Sequence, residues 1–503
     1  LSLSYLARNR DRLGREELRA AQGKALHRFL NDQVGAFSPH YRRVWEEHGV
    51  DVSQVRTIDD LAALPFTSKK DLVSGEGKSS PARDFVLQPD PAVLARRPGT
   101  IFRALYKGKR KVREELAREY RPVLMTSTTG RSSEPVPFFY TRHDVNNLKK
   151  TGERLMDVCD STPDYKHLNT FPFAPHLAFW QMHYAGIAYN TFTLSTGGGK
   201  TMGTAGNVMM LGKIKPDAII GMPTFVNHML REAVDQGIKD VDIKSIVLGG
   251  EKVPDGTKRR LRELCARLGG TEPTRIAATY GFTEAKMAFA ENPTLPGINS
   301  TGYLISPELA IIEVVDPKTG EPVPDGTTGE IVFTPLDARG SVVVRYRTGD
   351  LIEGGLVHEP CEISGRRCPR LVGRISRVSD FTRLSIDKVK GTLVNFNELE
   401  YLLDDIDGIA TWQVELRKRE NDPLLPDILL VHATEETGAS REALEDRIRE
   451  RMIKGIEMSP NEIHWRPLEE MQRMQGLGKE LKEKKIVDNR AEAEGDSDGE
   501  NEQ

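Results

Sequence analysis

TSTTGRSSEPVP, running from Thr126 to Pro137, follows an apolar tripeptide (Val123, Leu124, Met125) with the β propensity of a short buried strand. Four small hydroxyl residues come first (Thr126, Ser127, Thr128, Thr129), then Gly130, Arg131, two serines and two prolines. Small hydroxyls and a glycine in a tight turn set N–H and O–H donors on one concave side, which suits phosphate oxygens. Arg131 adds a delocalised charge for the same anions. The plain alternative is an ordinary Ser/Thr turn between two strands. The glycine spacing and Gly-Lys-Ser/Thr ending of a Walker loop are missing.

From this turn to about Gly373, strand-like runs alternate with helical periods, the pattern of a parallel or mixed α/β sheet. Ala218–Ile220, Ser245–Leu248 and Ile276–Thr279 each end in a Gly- or Thr-rich turn. Ligands of open α/β sheets sit beyond such strand ends. Gly249 and Gly250 let a flat ring approach the backbone, because nothing projects from Cα. Residues 1–75 are helix-rich, with Leu13, Leu18, Ala21, Leu26, Phe29, Leu30 and Val34 near helical spacing. In 76–120 a loop leads to a helix with a face that includes Ile101, Leu105 and Leu116, read as a surface elaboration; the basic run Lys107–Arg113 reads as a solvated helix start.

At 503 residues the chain has room for two to four domains. Its charge is near balance, 71 Lys+Arg against 74 Asp+Glu, so nothing calls for a nucleic-acid partner. No apolar run reaches membrane-spanning length, so no membrane is expected and the cytoplasm is the expected compartment. Four cysteines do not make a disulfide framework. His358, Cys361 and Cys368 fall within eleven residues and invite a zinc reading. No fourth ligand is nearby, and a reduced, metal-free hairpin is the favoured reading.

The motifs resemble, in order, those of the adenylate-forming superfamily (acyl- and aryl-CoA synthetases), and in particular its phenylacetate-CoA ligase-like branch. Thr128, Thr129 and Gly130 match the superfamily's phosphate loop, with Ser127 at a usual glycine. FFYTRHD (Phe138–Asp144) and TIDDLAALPFTSKKDL (Thr57–Leu72) look like the branch itself. ATYGFTEAKM (Ala278–Met287) and YRTGD (Tyr346–Asp350) are the specific matches, and the likeness extends from Thr57 to Arg490.

The resemblance implies an α/β fold. A large N-terminal adenylation domain, 1–373, would contain the helical segment 1–75 and a β-rich subdomain at about 301–370. A small mobile α+β lid, 374–490, would follow, and then a disordered acidic tail, 491–503. It implies ATP- and Mg²⁺-dependent activation of a carboxylic acid, aryl or arylacetic, to an acyl-adenylate, then transfer to coenzyme A. Transfer to another acceptor (a carrier protein or an amine), or a degenerate nucleotide-binding protein, are the alternatives. The ATP/AMP site would take Thr126 to Gly130, the turn Gly249, Gly250 and Glu251 against adenine, and Tyr280 with Gly281. Asp350 and Arg374 would hold the ribose, and Gly391 would border the coenzyme A thiol's tunnel. Thr283, Glu284 and Lys479 would be catalytic, with Glu284 on Mg²⁺; Lys482, Lys484 and Lys485 are rivals of Lys479. Phe173, His176, Trp180, Gly221 and Pro223 would line the acid's pocket. The helical N-terminus would suit a homodimer face.

Overall fold

The computed structural model describes residues 3–73, 81–128, 135–378, 388–389, 392–393, 396–419, 427–456, 458–476 and 483–489. Among them a nine-stranded mixed sheet forms the centre. Its spatial order is Leu356–Val357, Arg370–Leu371, Tyr303–Leu304, Met287–Glu291, Arg275–Phe282, Ser245–Leu248, Ala218–Gly221, Lys166–Asn169 and Phe192–Ser195. The last five pair in parallel and the others antiparallel. Ala218–Gly221 and Ser245–Leu248 are buried at every residue. That is why both read as unbroken apolar runs: helices cover the two faces of a parallel sheet. Helix Pro223–Asp235 contributes Val226, Met229, Leu230 and Ala233 to one core, and helix Asp255–Leu268 adds Leu261, Leu264, Cys265 and Leu268. Each fully buried Leu, Val or Met is worth roughly 1.5–3 kcal/mol.

A four-stranded antiparallel sheet stands beside it: Ala310–Val315, Gly329–Pro335, Tyr346–Ile352 and Ile375–Arg377. Its inner face shares one core with the N-terminal helices, where Leu18, Leu26, Phe29 and Leu30 lie with Ile311 and Phe333. The break at Ser38-Pro39 is a helix start. Ser38 Oγ accepts the Tyr41 N–H, and Pro39 opens the helix Pro39–Glu47. The apolar face of the N-terminal helices is therefore packed on the chain's own sheet.

The expectation for 76–120 changes. Three helices form there, Pro91–Arg96, Pro98–Lys107 and Lys109–Glu119. Leu116 packs on the core, but Ile101 and Leu105 face solvent. The buried face is made instead by Leu94, Val112 and Tyr120.

The C-terminal part has its own sheet, ordered Glu462–Trp465, Asp427–Glu435, Ile409–Lys418, Ile486–Asp488. Helices Phe396–Asp404 and Arg441–Ile456 pack on it around Leu399, Leu403, Trp412, Val431, Ile448 and Met452. Ile375–Arg377 forms an edge strand of the four-stranded sheet, with Arg377 opposite Asp350.

Candidate active site

Sheet order sets the turns after neighbouring strands side by side. Ala218–Gly221 passes into Met222 and Pro223, and Pro223 is the first residue of its helix. Ser245–Leu248 passes into Gly249, Gly250 and Glu251. A Cβ on Gly249 would lie 2.4 Å from Thr279 Oγ1 and 3.4 Å from the Phe171 ring, so a side chain there displaces the wall. Arg275–Phe282 does not end at Thr279. It continues through Tyr280 and Gly281, turns at Thr283–Ala285 and returns as Met287–Glu291.

These turns wall a cavity of about 1750 Å³. A site for one small molecule occupies roughly 300–1,000 Å³, so this space suits more than one reactant. Thr128, His176 and Pro223 reach it, as do Gly249, Gly250 and Glu251. So do Tyr280, Gly281, Thr283, Glu284, Asp350 and Arg374. Thr129, Gly130, Gly391 and Lys479 lie outside the described residues.

Five expected residues are not among those lining the cavity. Thr126 is buried in its strand and donates to the Tyr140 hydroxyl at 3.2 Å. The Ser127 carbonyl lies 3.0 Å from His176 Nδ1, and its N–H donates to the Pro175 carbonyl at 2.5 Å. Gly221 stays inside its strand against Thr170. Phe173 is 52% exposed, with its ring edge-to-face on Phe179, and Trp180 packs into the core stacked on Tyr184. Leu155, Phe171, Phe179 and Met182 hold the apolar wall in their place. Helical spacing could not tell which side of Leu177–Ala188 faces inward, because that helix is apolar nearly all round.

The electrostatics centre on two carboxylates. Glu284 Oε1 accepts the Tyr346 hydroxyl at 2.7 Å. Burial lifts the Glu284 carboxyl above its ordinary range, against the pull of that donor. Asp350 accepts the Tyr280 hydroxyl at 2.8 Å and lies 3.1 Å from Arg377 Nε. Both oxygens keep lone pairs for further donors. Burial first, and Asp350 second, push the Tyr280 hydroxyl well above its usual range. Burial opposes the charge of Arg377, but Asp350 and its neighbours outweigh it and raise the guanidinium. Tyr346 stood in a recognised motif without a role; its contact with Glu284 emerges only where the two sheets meet, and that of Arg377 with Asp350 from strand pairing.

The C-terminal part closes the other side. Lys252 Nζ meets Glu400 at 2.5 Å, Arg259 meets Asp405 at 3.4 Å and Asp407 at 2.6 Å, and Gln472 bonds His228 at 3.0 Å. The Arg374 guanidinium sits 4.0 Å above the Tyr401 ring. Lys484 and Lys485 line the cavity, and Lys485 Nζ pairs with Asp404 at 2.6 Å. Burial pushes the neighbouring Glu483 carboxyl up to about 7, aided by the charge of Glu251.

The zinc reading is not supported. His358 pairs with Asp325 at 2.8 Å, while Cys361 receives Asn292 and Cys368 receives Arg154, each at 3.0 Å. Among the described residues no cluster of His, Cys, Asp and Glu could hold a metal ion. The four cysteines are free and buried. No described helix is long and apolar enough to cross a membrane.

Residues 143–335 match the family model described as AMP-binding enzyme. The phenylacetate-coenzyme A ligase of Thermus thermophilus is 27% identical over 370 residues, which are 73% of this chain and 72% of that protein. The phenylacetate-coenzyme A ligase of Aromatoleum evansii is 25% identical over 370 residues, 72% of each chain. Among solved structures, 2-hydroxyisobutyryl-CoA ligase in the postadenylation state superposes with a TM-score of 0.74 at 19% identity, covering 98% of this chain and 94% of that one. That likeness shows the fold, a large α/β domain with a smaller C-terminal domain. The chain is similar to adenylate-forming enzymes. Within that class its similarity is to the phenylacetate-CoA ligases.

Proposed function

We propose that the chain joins a carboxylic acid to coenzyme A through an acyl-adenylate, forming AMP. The observation that carries this is the convergence of Glu284, the Tyr280–Asp350 pair and the Gly249–Glu251 turn on one cavity at the strand ends. The curated relatives it resembles are named as coenzyme A ligases. In the first step a carboxylate oxygen attacks the α-phosphorus of ATP and the bond to pyrophosphate breaks. Such displacement depends on in-line positioning and on cancelling charge. Thr283 and Thr128, with Thr129 and Gly130 of the same loop, supply donors to the phosphates. Asp350 and Arg374 hold the ribose, and the Gly249–Glu251 turn packs on adenine. Glu284 suits Mg²⁺ as a single hard-oxygen ligand completed by nucleotide phosphates, which fits the absence of a multi-carboxylate cage among the described residues. When bound there the ion neutralises charge on the phosphate oxygens. Lys479 is the assigned lysine for the same task. In the second step the thiol sulfur attacks the acyl carbonyl, AMP leaves and a thioester remains.

The acid is assigned to the aryl or arylacetic class, because Phe171, Phe179, Met182 and Leu155 form the apolar wall. The domain boundary is placed after Arg377, since Ile375–Arg377 pairs within the larger domain's sheet. The turn of the smaller domain between the two steps then pivots beyond that strand.

The test is pyrophosphate release from ATP and Mg²⁺ across aryl, arylacetic and short fatty acids, with and without coenzyme A. Acid-dependent release, with thioester formed only when coenzyme A is present, is the expected result. Release without thioester would assign another acceptor. No release with any acid, from protein that binds ATP, would overturn the reading in favour of a degenerate nucleotide-binding protein.

A further inference from the structure

The helical hairpin Pro98–Lys107 and Lys109–Glu119 has a face that the active site does not use. Ile101, Phe102, Leu105 and Tyr106 fall on one side of the first helix and are 47%, 74%, 82% and 88% exposed. Every residue from Leu105 to Lys111 is exposed, and the tip carries Lys107, Lys109, Arg110 and Lys111. Lys109, Lys111 and the following Arg113 have no ion-pair partner among the described residues. The hairpin is nonetheless anchored. Leu94 and Val112 are buried, the Arg97 guanidinium lies 4.8 Å over the Phe37 ring, and the Tyr120 hydroxyl donates to Gln33 at 2.7 Å. Glu115 ties Arg103 and Lys107 across the pair at 2.8 and 3.1 Å. The apolar side chains are thus held out on a fixed support and do not collapse onto the core.

We propose that this hairpin docks the protein on an anionic lipid surface, with Phe102, Leu105 and Tyr106 entering the interface and the basic tip meeting the headgroups. A helix with aromatic and aliphatic residues on one side and lysine and arginine beside them is suited to lie in such an interface. Charge and apolarity together select the occupant. The chain's own segment after Arg490 carries Glu492, Glu494, Asp496, Asp498, Glu500 and Glu502, but no side chain able to cover Phe102 or Leu105. A second copy would bring an identical basic tip against this one. An anionic bilayer offers negative charge and an apolar interior at one place. Surface docking is distinct from crossing a membrane, for which no described helix is suited.

The test is sedimentation of the full chain with phosphatidylcholine vesicles and with mixed phosphatidylcholine–phosphatidylglycerol vesicles at low and high salt. Binding to the mixed vesicles alone, weakened by salt, is expected. Both K109E/K111E and F102S/L105S should reduce it at least tenfold, with pyrophosphate release and thermal unfolding unchanged, because all four side chains are exposed. Failure of the wild-type chain to bind mixed vesicles would overturn the proposal, as would binding that neither double variant alters. Concentration-dependent self-association abolished by F102S/L105S, without vesicle binding, would reassign the face to contact between copies.

Discussion

Glu284 sits where burial penalises its charge and where one hydroxyl, from Tyr346, partly offsets that penalty. Glu284→Gln keeps the shape but removes the negative charge that a hard cation needs. It should slow adenylate formation by about 10²–10³, the scale of losing one charge-stabilising group, with unchanged thermal unfolding. Near-normal pyrophosphate release in this variant would remove Glu284 from the mechanism. Tyr346→Phe tests the electrostatics. The donor favours ionised Glu284, so its loss raises an already raised pKa, and the form able to bind a cation is reached only at higher pH. The acidic limb of the rate–pH profile should therefore move upward. A limb that stays in place would show that Glu284 does not set it. Asp350 makes a different prediction, because it holds both Tyr280 and Arg377. Asp350→Ala should raise the KM for ATP about tenfold or more, since it leaves a buried hydroxyl and a guanidinium without their acceptor. An unchanged KM would take the ribose away from this residue.

Among the elements, the C-terminal stretch leading into Ile486–Asp488 carries its own pH sensitivity. Glu483 has an ordinary value of 4.5 and is pushed up to about 7 where it faces Glu251 and the cavity. An acid whose folded pKa is raised favours the docked state fully below its free-chain value, and that contribution is lost as pH rises through the docked value. Protection factors in 483–489, taken relative to the intrinsic exchange rate at each pH, should be higher near pH 5 than above pH 7, and Glu483→Gln should abolish the difference. Equal protection on both sides of neutrality would refute the assignment. The strand elements were the more legible part of the fold. Ala218–Ile220 and Ser245–Leu248 stood out because parallel strands buried on both faces are apolar throughout. Leu105 was not legible. Apolar helical spacing also fits an exposed amphipathic helix, and only the anchoring of Leu94, Val112 and Tyr120 shows which face turns inward.

For the molecule as a whole, Gly256 lies where the backbone of the larger domain comes close to that of the C-terminal part. A Cβ there would lie 2.1 Å from the Asp404 carbonyl oxygen, a backbone atom that cannot turn aside. Gly256→Ala should disfavour this docking without touching Glu284 or Asp350. One half-reaction, adenylate formation or thioester formation, should slow by about tenfold, equivalent to about 1.4 kcal/mol, while the other is spared. Single-turnover assays of each step would decide. Equal rates in both would mean that neither step uses this arrangement.

The sequence by itself determined the class of fold and the order of the strand-end turns, and its likeness to adenylate-forming enzymes pointed to Glu284, Asp350 and the Gly249–Glu251 turn as candidates. Those signals are local: glycines where a backbone must come close, and short motifs at or beside the strands that match the family's. The tertiary structure alone decided that Phe171 and Phe179, and not Phe173 or Trp180, wall the cavity. It alone brought Arg377 to Asp350, Tyr346 to Glu284 and Lys485 to Asp404. These pairs are set by strand register and by how sheets and helices pack on one another, and neither leaves a mark in the spacing of residues along the chain.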